Sequence, residues 1–170
     1  YSSLGANTTG GSNVAVGSYA LDANTTSSDN VAVGHHSLGT NITGTQNTAI
    51  GKGSLFSNTT SNNTAAGFEA LNANTTGTQN VAVGAGALDA NTTAANNTAV
   101  GYRAAYTQEG ASAQNTAVGT NALYTNNGGE YNIAVGYNAM YAATTGNFNV
   151  AVGGTALDAN TTGDENIAVG

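Results

Sequence analysis

The pattern N-[TVI]-A-[VIA]-G recurs ten times, ending at Gly17, Gly34, Gly51, Gly67, Gly84, Gly101, Gly119, Gly136, Gly153 and Gly170. The interval is 17 residues, with one of 16 (Gly51 to Gly67) and one of 18 (Gly101 to Gly119). Units 1–17, 18–34, 35–51, 52–67, 68–84, 85–101, 102–119, 120–136, 137–153 and 154–170 therefore tile the chain as a single repeat array. The consensus is x-x-A-L-x-A-N-T-T-G-x-x-N-[TV]-A-V-G. A fixed short period means that each unit buries its apolar face only by stacking on its neighbours.

The unit is poor material for a helix. It is rich in Gly, Asn and Thr and has no 3.6-residue apolar pattern over a helical length. N-[TV]-A-V reads as a strand that ends at a Gly, where the backbone can turn through positive φ. A-L reads as a second short strand, and A-N-T-T-G carries turn chemistry. The expected fold is all-β, a parallel β-solenoid of ten coils rising ~4.8 Å each, or about 48 Å in all. Stacking turns each position into a column. Asn13, Asn30, Asn47, Asn63 and their successors to Asn166 are expected to form an amide ladder. Ala15 to Ala168 would keep the walls close, and Leu4, Leu21, Leu38, Leu55, Leu71, Leu88, Leu123 and Leu157, with Met140, would supply one large apolar group per coil. In the last coil, Leu157 and Val169 are both expected in the core.

Composition narrows the function classes. Charged residues make up only 6%, against about 25% in an ordinary soluble domain. The net charge of −7 sets nine acids against Lys52 and Arg103, so no basic patch exists to neutralise phosphates and no nucleic-acid partner is expected. No apolar run is long enough to insert in a membrane as a helix. Cys is absent, which removes disulfides and thiolate chemistry.

The strand itself raises a packing problem. Val14, Ala15 and Val16 place apolar atoms on both faces, and a strand of that kind is normally buried on both. One face can line the chain's own core; the other needs a cover, for which a partner chain is the simplest source. At "NVAVG" (30–34) and "NIAVG" (132–136) the sequence resembles the head repeats of trimeric autotransporter adhesins, whose coils carry an N-S-V-A-I-G-like motif. At "NTAVG" followed by "YRAAY" (97–106) it also resembles the Asn/Thr/Gly-rich repeat shafts of phage tail-fibre proteins. The resemblance spans all ten units, although the coil is longer than the adhesin unit and its second half reads A-L-x-A-N-T-T-G. It implies a left-handed parallel β-roll, a homotrimer, and a location outside the cell, at the cell surface or on a virion. The array stops at Gly170 with no capping sequence, as expected of a piece of a longer fibre.

Candidate sites are few. His35 and His36 would point to opposite faces of a regular strand and could not jointly hold a metal. "GHHSLG" (34–39) lacks a third group for a hydrolase triad, and "GKGS" (51–54) lacks the order of a phosphate loop. Asp22, Asp89 and Asp158 share a column but sit four coils apart, ~19 Å, too far to share a cation. No catalytic residue, cofactor or metal is therefore expected, and the chain does not read as an enzyme. Asn7, Asn24, Asn41, Asn58, Asn74, Asn91 and Asn160 each begin an N-x-T acceptor sequence. They read either as glycosylation sites on exposed turns or as residues that build and ladder the turn. Six of the eight Tyr lie between residues 102 and 141. Of these, Tyr102, Tyr106, Tyr124, Tyr137 and Tyr141 are candidate contacts for a glycan, or else bulky fillers of a bulge or inter-chain groove. The expected function is a structural extracellular fibre segment, an adhesin or tail-fibre shaft or head that forms a stiff rod for surface attachment. The alternative is a carbohydrate- or ice-binding solenoid whose Asn/Thr ladders are themselves the ligand surface.

Overall fold

The computed structural model describes residues 2–110 and 113–170. Its strands are all three residues long: β1 (Val14–Val16), β2 (Val31–Val33), β3 (Thr48–Ile50), β4 (Thr64–Ala66), β5 (Val81–Val83), β6 (Thr98–Val100), β7 (Thr107–Glu109), β8 (Thr116–Val118), β9 (Thr125–Asn127), β10 (Ile133–Val135), β11 (Val150–Val152) and β12 (Ile167–Val169). The ten that fall on the anchor motif form one sheet in the order β1-β2-β3-β4-β5-β6-β8-β10-β11-β12, and β7 pairs with β9 beside it. Every pair is parallel and in register, with Ala15 on Ala32, Ala32 on Ala49 and so on to Ala151 on Ala168. The fold is an all-β parallel solenoid, with no helix among the described residues; ten units produce about nine turns.

The A-L segment is not a strand. In the second coil Tyr19 (φ 60°), Leu21 (φ 50°) and Asp29 (φ 61°) all lie in the left-handed region, and the same three positions recur there along the array. Ala20 N donates to Gly17 O (3.2 Å) and Asn24 N to Leu21 O (3.2 Å), closing turns within the coil, while Leu21 N donates to Ser37 O of the next coil (3.0 Å). A leucine at positive φ is costly by itself, of order 1–3 kcal/mol, and persists only where its surroundings over-determine it. Here the surroundings are the same turn repeated in the next coil, bonded at the same atoms.

Those turns aim the leucines inward. Leu21, Leu38, Leu55, Leu71, Leu88, Leu123 and Met140 are buried, and so are the central alanines of the strands from Ala32 to Ala151. Leu157 is only partly buried against this core, and Val169, expected inside, lies on the outer face of β12, the edge strand, and is 78% exposed. Strand alternation sends the central Ala in and its two neighbours out.

Two amide columns complete the interior. In the column before the strand, Asn30 Oδ1 accepts from Asn47 N (3.0 Å) and its Nδ2 donates to Gly44 O (2.9 Å); Asn47 and Asn63 repeat the pattern. The expected ladder is therefore present, although its bonds run mainly from side chain to the next coil's backbone. The anchor glycines are obligatory for a separate reason. Gly34 has φ 136°, and a Cβ there would lie 2.5 Å from Gly51 O of the coil above.

Candidate functional site

Counting from the residue after each anchor glycine gives columns that run the length of the rod. The N-x-T asparagines form one of them, at position 7. Asn24, Asn41, Asn58, Asn74 and Asn91 are fully buried, and their amides are engaged: Asn41 Nδ2 donates to Gly44 O (2.9 Å), Asn74 Nδ2 to Asn58 Oδ1 (2.8 Å) and Asn91 Nδ2 to Asn74 Oδ1 (3.1 Å). A glycan on Nδ2 has no room at these positions in the folded chain, so the ladder reading of these residues replaces the acceptor reading. Asn7 and Asn160 are part-buried, with Nδ2 donating to Gly10 O (3.0 Å) and Gly163 O (3.1 Å). Burial also takes the Asn columns out of contention as a ligand surface. The neighbouring threonine hydroxyls are committed too: Thr8, Thr43, Thr59, Thr75 and Thr144 donate to carbonyls of the next coil at 2.8–3.0 Å.

The tyrosines separate into two columns. Tyr106, Tyr124 and Tyr141, at position 5, stack face to face with centroids 5.2 and 5.0 Å apart and planes within 7°. Both faces of Tyr124 are thereby covered by neighbouring rings, which leaves ring edges and hydroxyls for any ligand. Tyr102 and Tyr137, at position 1, are the most open of the five, 50% and 60% exposed. Arg103 joins the two columns, its guanidinium 5.2 Å from the Tyr102 ring and 5.3 Å from the Tyr106 ring.

His35 and His36 occupy a turn, not a strand, and their rings meet edge to face at 4.2 Å; His36 also stacks on Tyr19 (4.8 Å). Among the described residues, no group of three or more His, Cys, Asp or Glu is placed to hold a metal ion. Nor is any helix there long and apolar enough to cross a membrane.

Position 2 carries the feature that linear reading missed. It runs Tyr19, His36, Gly53, Glu69, Gly86, Arg103, so a side chain is missing twice. At Gly53 the gap is plugged, because Asn72 reaches back and donates Nδ2 to Gly53 O (2.8 Å). At Gly86 the equivalent residue one coil on is Tyr106, whose ring is held in its stack 3.9 Å from where a Cβ would be; the nearer atom is Arg103 Cγ, at 3.2 Å. A notch of about 110 Å³ remains, lined by Phe68, Glu69, Asp89, Tyr102, Arg103 and Tyr106 over Gly86. Burial, and after it the charge of Glu69, push the Asp89 carboxyl above the ordinary carboxylate range against the opposing pull of Tyr106 and Arg103. Tyr106 is pushed up in turn, chiefly by the negative charge of Asp89. Alignment of the units by column would have exposed the missing side chain, but not the difference between the plugged gap and the open one.

A second surface feature is the outer face of the ten-stranded sheet. Its two columns are Val14, Val31, Thr48, Thr64, Val81, Thr98, Thr116, Ile133, Val150, Ile167 and Val16, Val33, Ile50, Ala66, Val83, Val100, Val118, Val135, Val152, Val169. Val81 and Val83 are 37% and 38% exposed around a fully buried Ala82. No charged residue interrupts either column. Comparison with known protein families, with curated proteins and with solved structures gives no match to this chain.

Proposed function

We propose that the chain is a structural fibre segment that works as a homotrimer, three solenoids packed through the outer faces of their ten-stranded sheets into a stiff rod outside the cell. The observation that carries this reading is the pair of uncharged, β-branched columns on that face. One column is wholly aliphatic and the other mixes Val and Ile with Thr, and an extended surface of that kind is a usual mark of an interface. A cover for it must be as long, as regular and as uncharged as the face itself, and a further copy of the chain meets all three conditions. Identical faces related by rotation close into a ring and leave no apolar strip exposed. The motif resemblance points to three chains, a left-handed wind and surface attachment. The mechanism is mechanical: in-register ladders and packed amide columns resist bending and hold a distal element away from its anchoring surface.

Sedimentation equilibrium tests the assembly. A mass three times the chain mass of 16.6 kDa is expected, and a monomer at micromolar concentration would defeat the reading. Carbohydrate binding is the second reading. It is favoured by one observation, the aromatic and charged cluster around Arg103. Ice binding through Thr ladders has no comparable support, since hydroxyls such as those of Thr8 and Thr75 already serve the next coil.

A further inference from the structure

The notch at Gly86 gathers unlike chemistry in a chain that has little of it. Both basic residues flank it along one strip, Lys52 with Nζ 5.6 Å from the Phe68 ring and Arg103 against Tyr102 and Tyr106. Between them lie Glu69 and Asp89, two of only nine acids in 170 residues. Phe68, Tyr102 and Tyr106 line it, and the Arg103 stem lies over Gly86. The opening exists because one position of a side-chain column is empty and the residue that could fill it is held in the tyrosine stack.

The ligand class follows by elimination among the groups that such walls recognise. A cationic ligand would meet Arg103, which with Lys52 already holds one face of the flanking rings. An anionic ligand would meet Glu69 and Asp89. A neutral polyol suits all of them: its hydroxyls can donate to the two carboxylates and accept from the guanidinium, while its C–H face lies on a ring. At about 110 Å³ the notch is well below the volume of a site that engulfs a whole small molecule, so it takes one edge of a ring.

We propose that the Gly86 notch is a binding site for the edge of a neutral hexopyranose, seated between Phe68 and Tyr102 and hydrogen-bonded by Glu69, Asp89 and Arg103. Hydroxyl donors would also favour the Asp89 carboxylate, which burial and the Glu69 charge now disfavour. This site uses none of the outer sheet face, so it stands or falls independently of the trimer.

Saturation-transfer NMR on the intact protein provides the test. The probes are methyl glycosides of glucose, galactose, mannose and N-acetylglucosamine, with glucuronate and tetramethylammonium as charged controls. The blocking variant is Gly86→Asn, because the same column already holds Asn121 and Asn138 at φ 52° and 53°. Transfer to at least one neutral glycoside is expected, with affinity falling about tenfold or more in Gly86→Asn and in Arg103→Ala while both variants keep a cooperative melting transition, the Asn displacing the Arg103 stem that lies 3.2 Å from its Cβ. Three results would each overturn the proposal: no transfer to any neutral glycoside, undiminished transfer in Gly86→Asn, or a preference for either charged probe. A monomeric protein that still binds the glycoside would remove the fibre reading and leave this one standing.

Discussion

Asn91 and Gln108 sit one above the other in the inner amide column, yet no hydrogen bond joins them. Asn91 Oδ1 is buried without a partner, and Gln108 Nε2 donates instead to Glu109 O at 3.3 Å. One step earlier Asn74 Oδ1 accepts from Asn91, and one step later Gln108 Oε1 accepts from Asn126 Nδ2 (3.2 Å). The column is faulted where the 18-residue unit enters, because the longer Gln side chain turns its amide nitrogen away from the coil below.

Gln108→Asn is therefore expected to stabilise the chain by about 1 kcal/mol, since it offers Asn91 a donor from the geometry Asn126 already adopts in β9. Urea unfolding checks this; a midpoint unchanged or lowered would show that the shorter side chain cannot reach.

Asn47→Ala should do the reverse. It orphans Asn63 N, now bonded to Asn47 Oδ1 at 2.9 Å, and leaves Thr60 O with Asn58 Nδ2 as its remaining donor. The expected loss is about 1–3 kcal/mol for each buried group left unpaired. A loss no larger than that of an exposed control, such as Thr76→Ala, would argue that water reaches the column.

Gly34→Ala tests the spacing between coils. The added methyl meets the carbonyl of Gly51, and φ 136° is strained for alanine, so a loss of at least about 1–3 kcal/mol is expected from the backbone alone. Circular dichroism during thermal melting reads it directly.

Val83→Lys separates assembly from folding. The side chain points away from the core, beside the buried Ala82, so the single solenoid should fold with its strands intact. The trimer should dissociate, because three like charges would be brought together in an apolar seam. Sedimentation of the variant as a trimer with unchanged stability would place the interface elsewhere.

Asp89 gives a pH dependence whose sign is fixed. Its folded carboxyl is raised, so the folded state holds the proton more tightly than the unfolded state does. Stability falls as pH rises from the ordinary carboxylate range through the raised value, and stays lower above it. Asp89→Asn should flatten this part of the melting-temperature profile and leave the variant relatively more stable at neutral pH. A wild-type profile that rises across that window would contradict the assignment.

Much of this architecture is legible in the sequence because stacking converts a period into columns. The N-T-A-V-G anchors give the strands, Leu71 and its column give the core, and Asn47 and its column give the ladder. The A-L segment was misread because propensity speaks for a residue in isolation. Leu21 adopts φ 50° only because Leu38 and Leu55 adopt nearly the same turn above it. The N-x-T sites were similarly ambiguous, since a turn asparagine is exposed in a hairpin and interior in a solenoid, as Asn74 is. The notch lay furthest from view. It depends on whether a position-5 side chain one coil later folds back, as Asn72 does, or is captured by its own neighbours, as Tyr106 is.

The in-register pairing also bears on how such an array can change length. Because Ala32 lies on Ala49 and beneath it on Ala15, removing or duplicating one whole unit returns the remaining residues to neighbours at the same repeat position. Unequal exchange between repeats would thus yield another foldable rod, shorter or longer by one rung. The segment from 102 to 136 is the exception: β7 and β9 pair with each other, so those two units must be inherited together.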